Sequence, residues 1–131
     1  MCKRGDIYFA DLGNTVDCRI SGTRPVLIVS NDIVNKHSQV ITVVPMTTKL
    51  KKQYMPTHII LSPIDSGLMR SNMILAEQVR SLDKASLRSY AGHISNPSIM
   101  DTVSIALAEQ LSSYVKLTRN YSETEAALKR N

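Results

Sequence analysis

Pro25-Val26-Leu27-Ile28-Val29-Ser30 and, after the polar connection Asn31 to Ser38, Val40-Ile41-Thr42-Val43-Val44-Pro45 are dense in β-branched residues. They read as neighbouring buried strands, because branched side chains pack well on a pleated surface. On the N-terminal side, Ile7-Tyr8-Phe9-Ala10-Asp11-Leu12 forms another short aromatic strand. A long polar loop from Gly13 to Thr23, rich in turn residues such as Asn14, Asp17 and Gly22, separates it from the central pair. On the C-terminal side, Thr47 to Pro56 is a basic loop. Thr57-His58-Ile59-Ile60-Leu61 then resumes as strand, and Ser62-Pro63 ends it. Met73-Ile74-Leu75-Ala76-Glu77-Gln78-Val79-Arg80 reads as one further β segment.

The character changes after Ser81. Asp83 to Leu87 accommodates one helical turn, and Arg88 to Ile94 is ambiguous because Gly92 weakens helix and strand alike. Asn96-Pro97 is a helix start, with Asn96 as N-cap and Pro97 at the first helical position. From there Ile99, Met100, Val103, Ile105, Ala106, Leu107, Leu111 and Val115 give an amphipathic helix to about residue 115. Such a helix covers the open side of a bent sheet. The fold class is therefore α+β: a small, strongly bent half-open barrel of about five to seven strands with a long C-terminal helix. Residues 1–116 form one domain. The polar extension 117–131 carries a capping-box pattern at Ser122 to Glu125, compatible with a short helix or with disorder.

At 131 residues the chain has enough material for one core and too little for two. Sixteen Lys and Arg against eleven Asp and Glu leave a formal charge of +5, which leans toward a polyanionic partner, either nucleic acid or an anionic membrane surface. No apolar run approaches the roughly 20 residues of a spanning helix. Met1 to Asp6 leads into no secretory core, since Asp6 and Asp11 interrupt the first apolar run. The expected location is the cytoplasm. Cys2 and Cys18 lie at neither disulfide-scaffold nor metal-ligand spacing and read as reduced bystanders. Phosphate-loop, nucleophile-elbow and zinc-helix motifs are missing, and the histidines at 37, 58 and 93 are scattered. What remains is a set of polar residues at strand ends, Arg24, Thr47, Thr48 and Glu77-Gln78-Val79-Arg80, where a rigid sheet can aim side chains into one cleft.

These residues sit in recognisable contexts. Lys3 to Leu12, then Gly22-Thr23-Arg24-Pro25-Val26-Leu27-Ile28-Val29-Ser30-Asn31, Pro45-Met46-Thr47-Thr48, Pro56-Thr57-His58 and Ile74 to Asp83 together resemble the MazF/PemK family of bacterial toxins. The ordered match covers residues 3 to about 115. The resemblance implies the plasmid-maintenance toxin fold and a metal-independent, cofactor-free endoribonuclease that selects sequence in single-stranded RNA. It also implies a homodimer neutralised by a cognate, MazE-like antitoxin, whose acidic, apolar tail lies across the RNA cleft.

Cleavage by 2′-OH attack needs a proton acceptor, stabilisation of charge on the pentavalent phosphorus, and a proton for the departing 5′-oxygen. The family's catalytic arginine maps onto Arg24 through its Pro25-Val26 context, and a guanidinium matches two phosphate oxygens. Thr47 matches the second catalytic position; Thr48, next along the strand, faces the other way. Many members carry a Glu-Gln pair a few residues before the arginine, where this chain has Arg19-Ile20. The resemblance implies Glu77 as a substitute for proton removal, since some relatives carry an acidic residue of catalytic importance at the matching position; the other reading is an ion pair with Arg80 or a lysine.

Arg19, Lys49, Lys51 and Lys52 offer charge to phosphates, Gln78 can read base edges, and Thr48, His58 and Arg80 complete the expected RNA contacts. With 5% aromatic residues and no Trp, recognition rests on hydrogen bonds rather than a stacking platform. Two alternatives remain: a non-catalytic toxin of the same barrel type that binds DNA gyrase, and a weakened ribonuclease that keeps antitoxin binding, suggested by Arg19-Ile20.

Overall fold

The computed structural model describes residues 1–14, 19–50 and 55–112. Its centre is the pair anticipated above. Strands β1 (Asp6–Asp11), β2 (Thr23–Ile28) and β3 (Val40–Thr47) are antiparallel neighbours, with Tyr8 opposite Val26 and Leu27 opposite Val44. Strands β4 (His58–Leu61), β5 (Asn72–Leu75), β6 (Arg80–Asp83) and β7 (Leu87–His93) complete a seven-stranded antiparallel sheet that does not close. Its order is β4-β5-β3-β2-β1-β7, with β6 also paired to β3.

Met73–Arg80 is thus not one strand. Between Ile74, opposite Met46, and Arg80, opposite Val43, the chain takes six residue steps while β3 takes three. The excess is a 3-10 turn, Ala76–Gln78. Its cause lies partly in Pro45. The Thr42 carbonyl accepts the Val29 N–H at 3.0 Å on the β2 side, so alternation turns the peptide groups of residues 43, 45 and 47 to the opposite edge. Pro45 has no N–H to offer there, and the ladder breaks beside it.

Both sheet faces carry a core. Ile7, Leu27, Val44, Met46, Leu61 and Ile74 lie on one face. Helix α3 (Pro97–Leu111) covers them with Val103, Ile99, Met100 and Leu107. Ala10, Val26, Ile28, Ile41 and Val43 lie on the other face, where Ile20 of the β1–β2 loop, Leu82 and Leu87 pack against them. Asn96 Oδ1 caps α3 by accepting the Ser98 N–H at 3.0 Å, and the helix ends at Leu111. Residues 113–115 of the expected helix, Cys18, and the 117–131 extension lie outside the described residues. Cys2 is a buried free thiol.

The Asn31 to Ser38 connection is a helix, α1 (Asp32–His37), which the polar composition concealed. Asn31 Oδ1 accepts the Val34 N–H at 3.0 Å, and buried Asn35 donates to the Ser30 carbonyl at 2.8 Å. Ser62-Pro63 likewise ends β4 by starting a helix, α2 (Pro63–Ser66). The Arg4 guanidinium reaches the Val29 carbonyl and Ser104 Oγ, tying α3 to the end of β2. Asp32 Oδ1 accepts the Arg4 N–H at 2.7 Å.

Gly92, ambiguous in the sequence, is required by close approach. A Cβ there would lie 2.2 Å from the Ser66 carbonyl oxygen of α2. Gly92→Ala is expected to lower unfolding free energy by about 1–3 kcal/mol, read as a lower urea midpoint. The Arg4 amide holds the Asp32 carboxyl below its ordinary range, helped by Asn35 and by the charges of Lys3 and Arg4. A lowered folded-state value means stability present above the unfolded carboxylate's titration and lost as pH falls through the folded one. Stability measured by urea unfolding below about pH 4 is therefore expected to fall more steeply with acid in the wild type than in Asp32→Asn.

Candidate active site

Arg24 stands near the start of β2, opposite Ala10. The last β2–β3 pair joins Val26 to Pro45, and continuing that register by two residues sets Arg24 level with Thr47 on the same face. Arg24 is exposed. Its Nε donates to the Ser21 carbonyl at 3.1 Å, and among the described residues its two Nη groups make no hydrogen bond. Thr47 is 9% exposed, and its Oγ1 accepts the Lys49 N–H at 3.1 Å. The strand's alternation sends Thr48 to the opposite face, where it lines an apolar cleft of about 400 Å³ with Phe9, Pro25, Leu68 and Met69.

Glu77 sits on the 3-10 turn and meets His58 from β4. Its Oε2 lies 2.9 Å from His58 Nε2 and accepts a longer bond from Thr57 Oγ1 at 3.4 Å. The His58 side chain is 6% exposed and that of Glu77 22%. Among the described residues, His58 Nδ1 and Glu77 Oε1 are buried without a hydrogen-bond partner. The sequence expectation of a Glu77–Arg80 ion pair is thus met by a different base, His58, 19 residues away. Such a pair has no local sequence signature.

Gln78 and Arg80 both turn to the β1–β2 loop. Gln78 Oε1 accepts the Ile20 N–H at 2.7 Å, and Arg80 donates from Nη2 to the Ile20 carbonyl at 2.8 Å. Arg80 can reach it because its pairing with Val43 puts it on the face that Ile20 covers. Arg19, Glu77, Gln78, Val79 and Arg80 line a cavity of about 350 Å³. Arg19 and Lys49 are exposed; Lys51 and Lys52 lie outside the described residues. Burial, with Asp6, Cys2 and Tyr90 nearby, raises the Tyr8 phenol above its ordinary range, so it is neutral at pH 7. The sequence reading missed the backbone groups of Ile20 and Ser21, which carry no side-chain signal.

Among the described residues, no group of three or more His, Cys, Asp or Glu is placed to hold a metal ion, and no helix is long and apolar enough to cross a membrane.

Comparison with known proteins adds four findings. Residues 3–111 match the family model of the PemK-like, MazF-like toxin of type II toxin-antitoxin systems. The chain is 40% identical over 105 residues to Endoribonuclease EndoA of Bacillus subtilis (strain 168), spanning 80% of this chain and 90% of that protein. A mycobacterial endoribonuclease solved in complex with its cognate antitoxin superposes with a TM-score of 0.68 at 29% identity, covering 85% of this chain and 95% of that one. MazF (Form-I) of Deinococcus radiodurans shares the fold, with a TM-score of 0.69 at 24% identity over 84% of this chain and 96% of that one. The ribonuclease reading is favoured over the gyrase-binding alternative. With the half-open sheet, its C-terminal helix and the matched segment in agreement, this chain is a homologue of endoribonucleases and belongs to the PemK-like, MazF-like toxins of type II toxin-antitoxin systems.

Proposed function

We propose that this protein is a metal-independent endoribonuclease that cuts single-stranded RNA at selected sequences. The 2′-oxygen attacks the adjacent phosphorus, the P–O5′ bond breaks, and the products carry a 2′,3′-cyclic phosphate and a 5′-OH. One observation carries this reading: Arg24, near the start of β2, and Thr47, at the end of β3, share a level and a face, with both Nη groups of Arg24 uncommitted among the described residues. The guanidinium offers two donors to the phosphate oxygens where charge develops, and the Thr47 hydroxyl adds a third.

Arginine is a poor proton acceptor, so proton removal from the 2′-OH falls to Glu77, which among the described residues is the carboxylate lining the cavity with Arg19 and Arg80. His58 Nε2, 2.9 Å away, holds that carboxylate in place. The departing 5′-oxygen takes its proton from solvent. Arg19 and Lys49, joined by Lys51 and Lys52, supply charge along the RNA, and Thr48 lies at the entrance to the neighbouring cleft.

A homodimer is part of this reading. Exposed Ile64 and Met69, 96% and 98% accessible, support burial against a second copy. So is a MazE-like antitoxin across the same cleft, supported by the antitoxin-bound mycobacterial relative. The cytoplasm is the expected compartment.

The test is incubation with long single-stranded RNA in excess chelator. Wild type is expected to cut, leaving cyclic phosphate ends, while Arg24→Ala loses about 10²–10³-fold in rate. No cleavage of any RNA tested, or full activity in Arg24→Ala, overturns the proposal. His58→Ala strips the half-buried Glu77 carboxylate of its nearest partner and is expected to cost about 1–3 kcal/mol in urea unfolding. Replacing His58 and Glu77 together by apolar residues should cost less than the two single losses added.

A further inference from the structure

Three contacts form a continuous chain. Gln78 Oε1 accepts the Ile20 N–H at 2.7 Å, Arg80 Nη2 donates to the Ile20 carbonyl at 2.8 Å, and the next residue, Ser21, offers its carbonyl to Arg24 Nε at 3.1 Å. The peptide groups of Ile20 are thus held from both sides. The carbonyl that orients the guanidinium belongs to the adjoining residue. The second core clamps the same point, because the Ile20 side chain packs on the face of Val26, Ile41 and Val43.

We propose that Gln78 and Arg80 are positioning residues for Arg24: they fix the Ile20–Ser21 peptide, and through the Ser21 carbonyl they set the direction of the guanidinium, rather than reading RNA themselves. The inference rests on Arg24 as the phosphate-facing group. Its logic is geometric. A guanidinium near the end of an exposed side chain rotates freely unless Nε is anchored, and only an anchored plane presents its two Nη groups together to a phosphate. The Ser21 carbonyl is that anchor. A loop carbonyl directs a side chain only if the loop is itself immobile.

The bracket also tolerates an apolar residue at position 20, where the family resemblance implies a polar one. Gln78 and Arg80 grip main-chain atoms, so the grip is indifferent to the side-chain polarity at position 20. An apolar residue there gains burial against the second core. Gln78 is able to do this because the 3-10 turn lifts it out of the ladders that β5 and β6 form with β3.

The experiment compares Gln78→Leu, which removes the acceptor, with Gln78→Glu, which keeps an oxygen at the same reach. It measures kcat and KM on a short single-stranded RNA and the exchange rate of the Ile20 amide by NMR. A misplacement of about 1 Å can cost on the order of a hundredfold. Gln78→Leu is accordingly expected to lower kcat by roughly 10- to 100-fold with KM nearly unchanged, and to speed Ile20 amide exchange. Gln78→Glu should recover kcat.

In an Arg24→Ala background, Gln78→Leu should add no further loss, because its effect passes through the missing guanidinium. A raised KM with kcat intact, an additive loss in the double variant, or unchanged exchange at Ile20 would each overturn the assignment. Arg80→Met, with circular dichroism to verify folding, repeats the test from the carbonyl side. Should Arg24→Ala alone retain full activity, the reading of Arg24 fails. The exchange measurement still decides whether the bracket exists.

Discussion

Strand β3 is eight residues long, and one of its edges must serve two partners, β6 along Val40–Val43 and β5 at Met46–Thr47. Between those ladders stands Pro45, whose missing N–H faces that edge. The neighbouring chain meets no donor there and leaves the ladder as a 3-10 turn before rejoining it three residues out of step. Much of the site's character follows. Residues that regular alternation would have spread over both faces are gathered on one short turn. Glu77 meets His58 of β4, Gln78 meets the β1–β2 loop, and Arg80 re-enters the sheet on the face that loop covers.

The second consequence is a division of labour between the two faces. One is sealed by α3, pinned at its middle by the Arg4–Ser104 bond. On the other, Ile20 of the β1–β2 loop packs beside Leu82 and Leu87, and Gln78 and Arg80 bond its main chain. A helix offers a dry, close-packed cover. A loop leaves polar groups and cavities beside the sheet, and it is on this face that Arg24 and Thr47 lie. Rigid strands fix the positions of Arg24 and Thr47, and the loop supplies the Ser21 carbonyl that Arg24 Nε contacts.

Much of this was legible beforehand. The β-branched runs at 25–30 and 40–45 and the Asn96-Pro97 start each have a local physical cause, and each reappears within a few residues of its expected bounds. Where the reading failed, the cause was non-local or too short to detect. Helix α1 spans six residues, with an apolar pair too brief to show a helical period. Residues 73–80 alternate well enough to look like one strand, because the break is imposed by Pro45 of a different strand. The strand-end positions of Arg24 and Thr47 were recognisable from sequence context. The pairing of Glu77 with His58 was not, since only folding brings residues 19 apart together.

Composition and short-range pattern sufficed for the α+β class, the central strands, the capped final helix and, through the family motifs, the arginine and threonine at the strand ends. These depend on propensity, capping and periodicity, which act over a few residues. Folding alone decided which face each polar group joins, that the sheet stays open with a core on either side, and that Gln78 and Arg80 close on Ile20. Register and loop docking are long-range quantities: a single-residue shift in pairing reverses every side chain, and no local stretch of sequence records it.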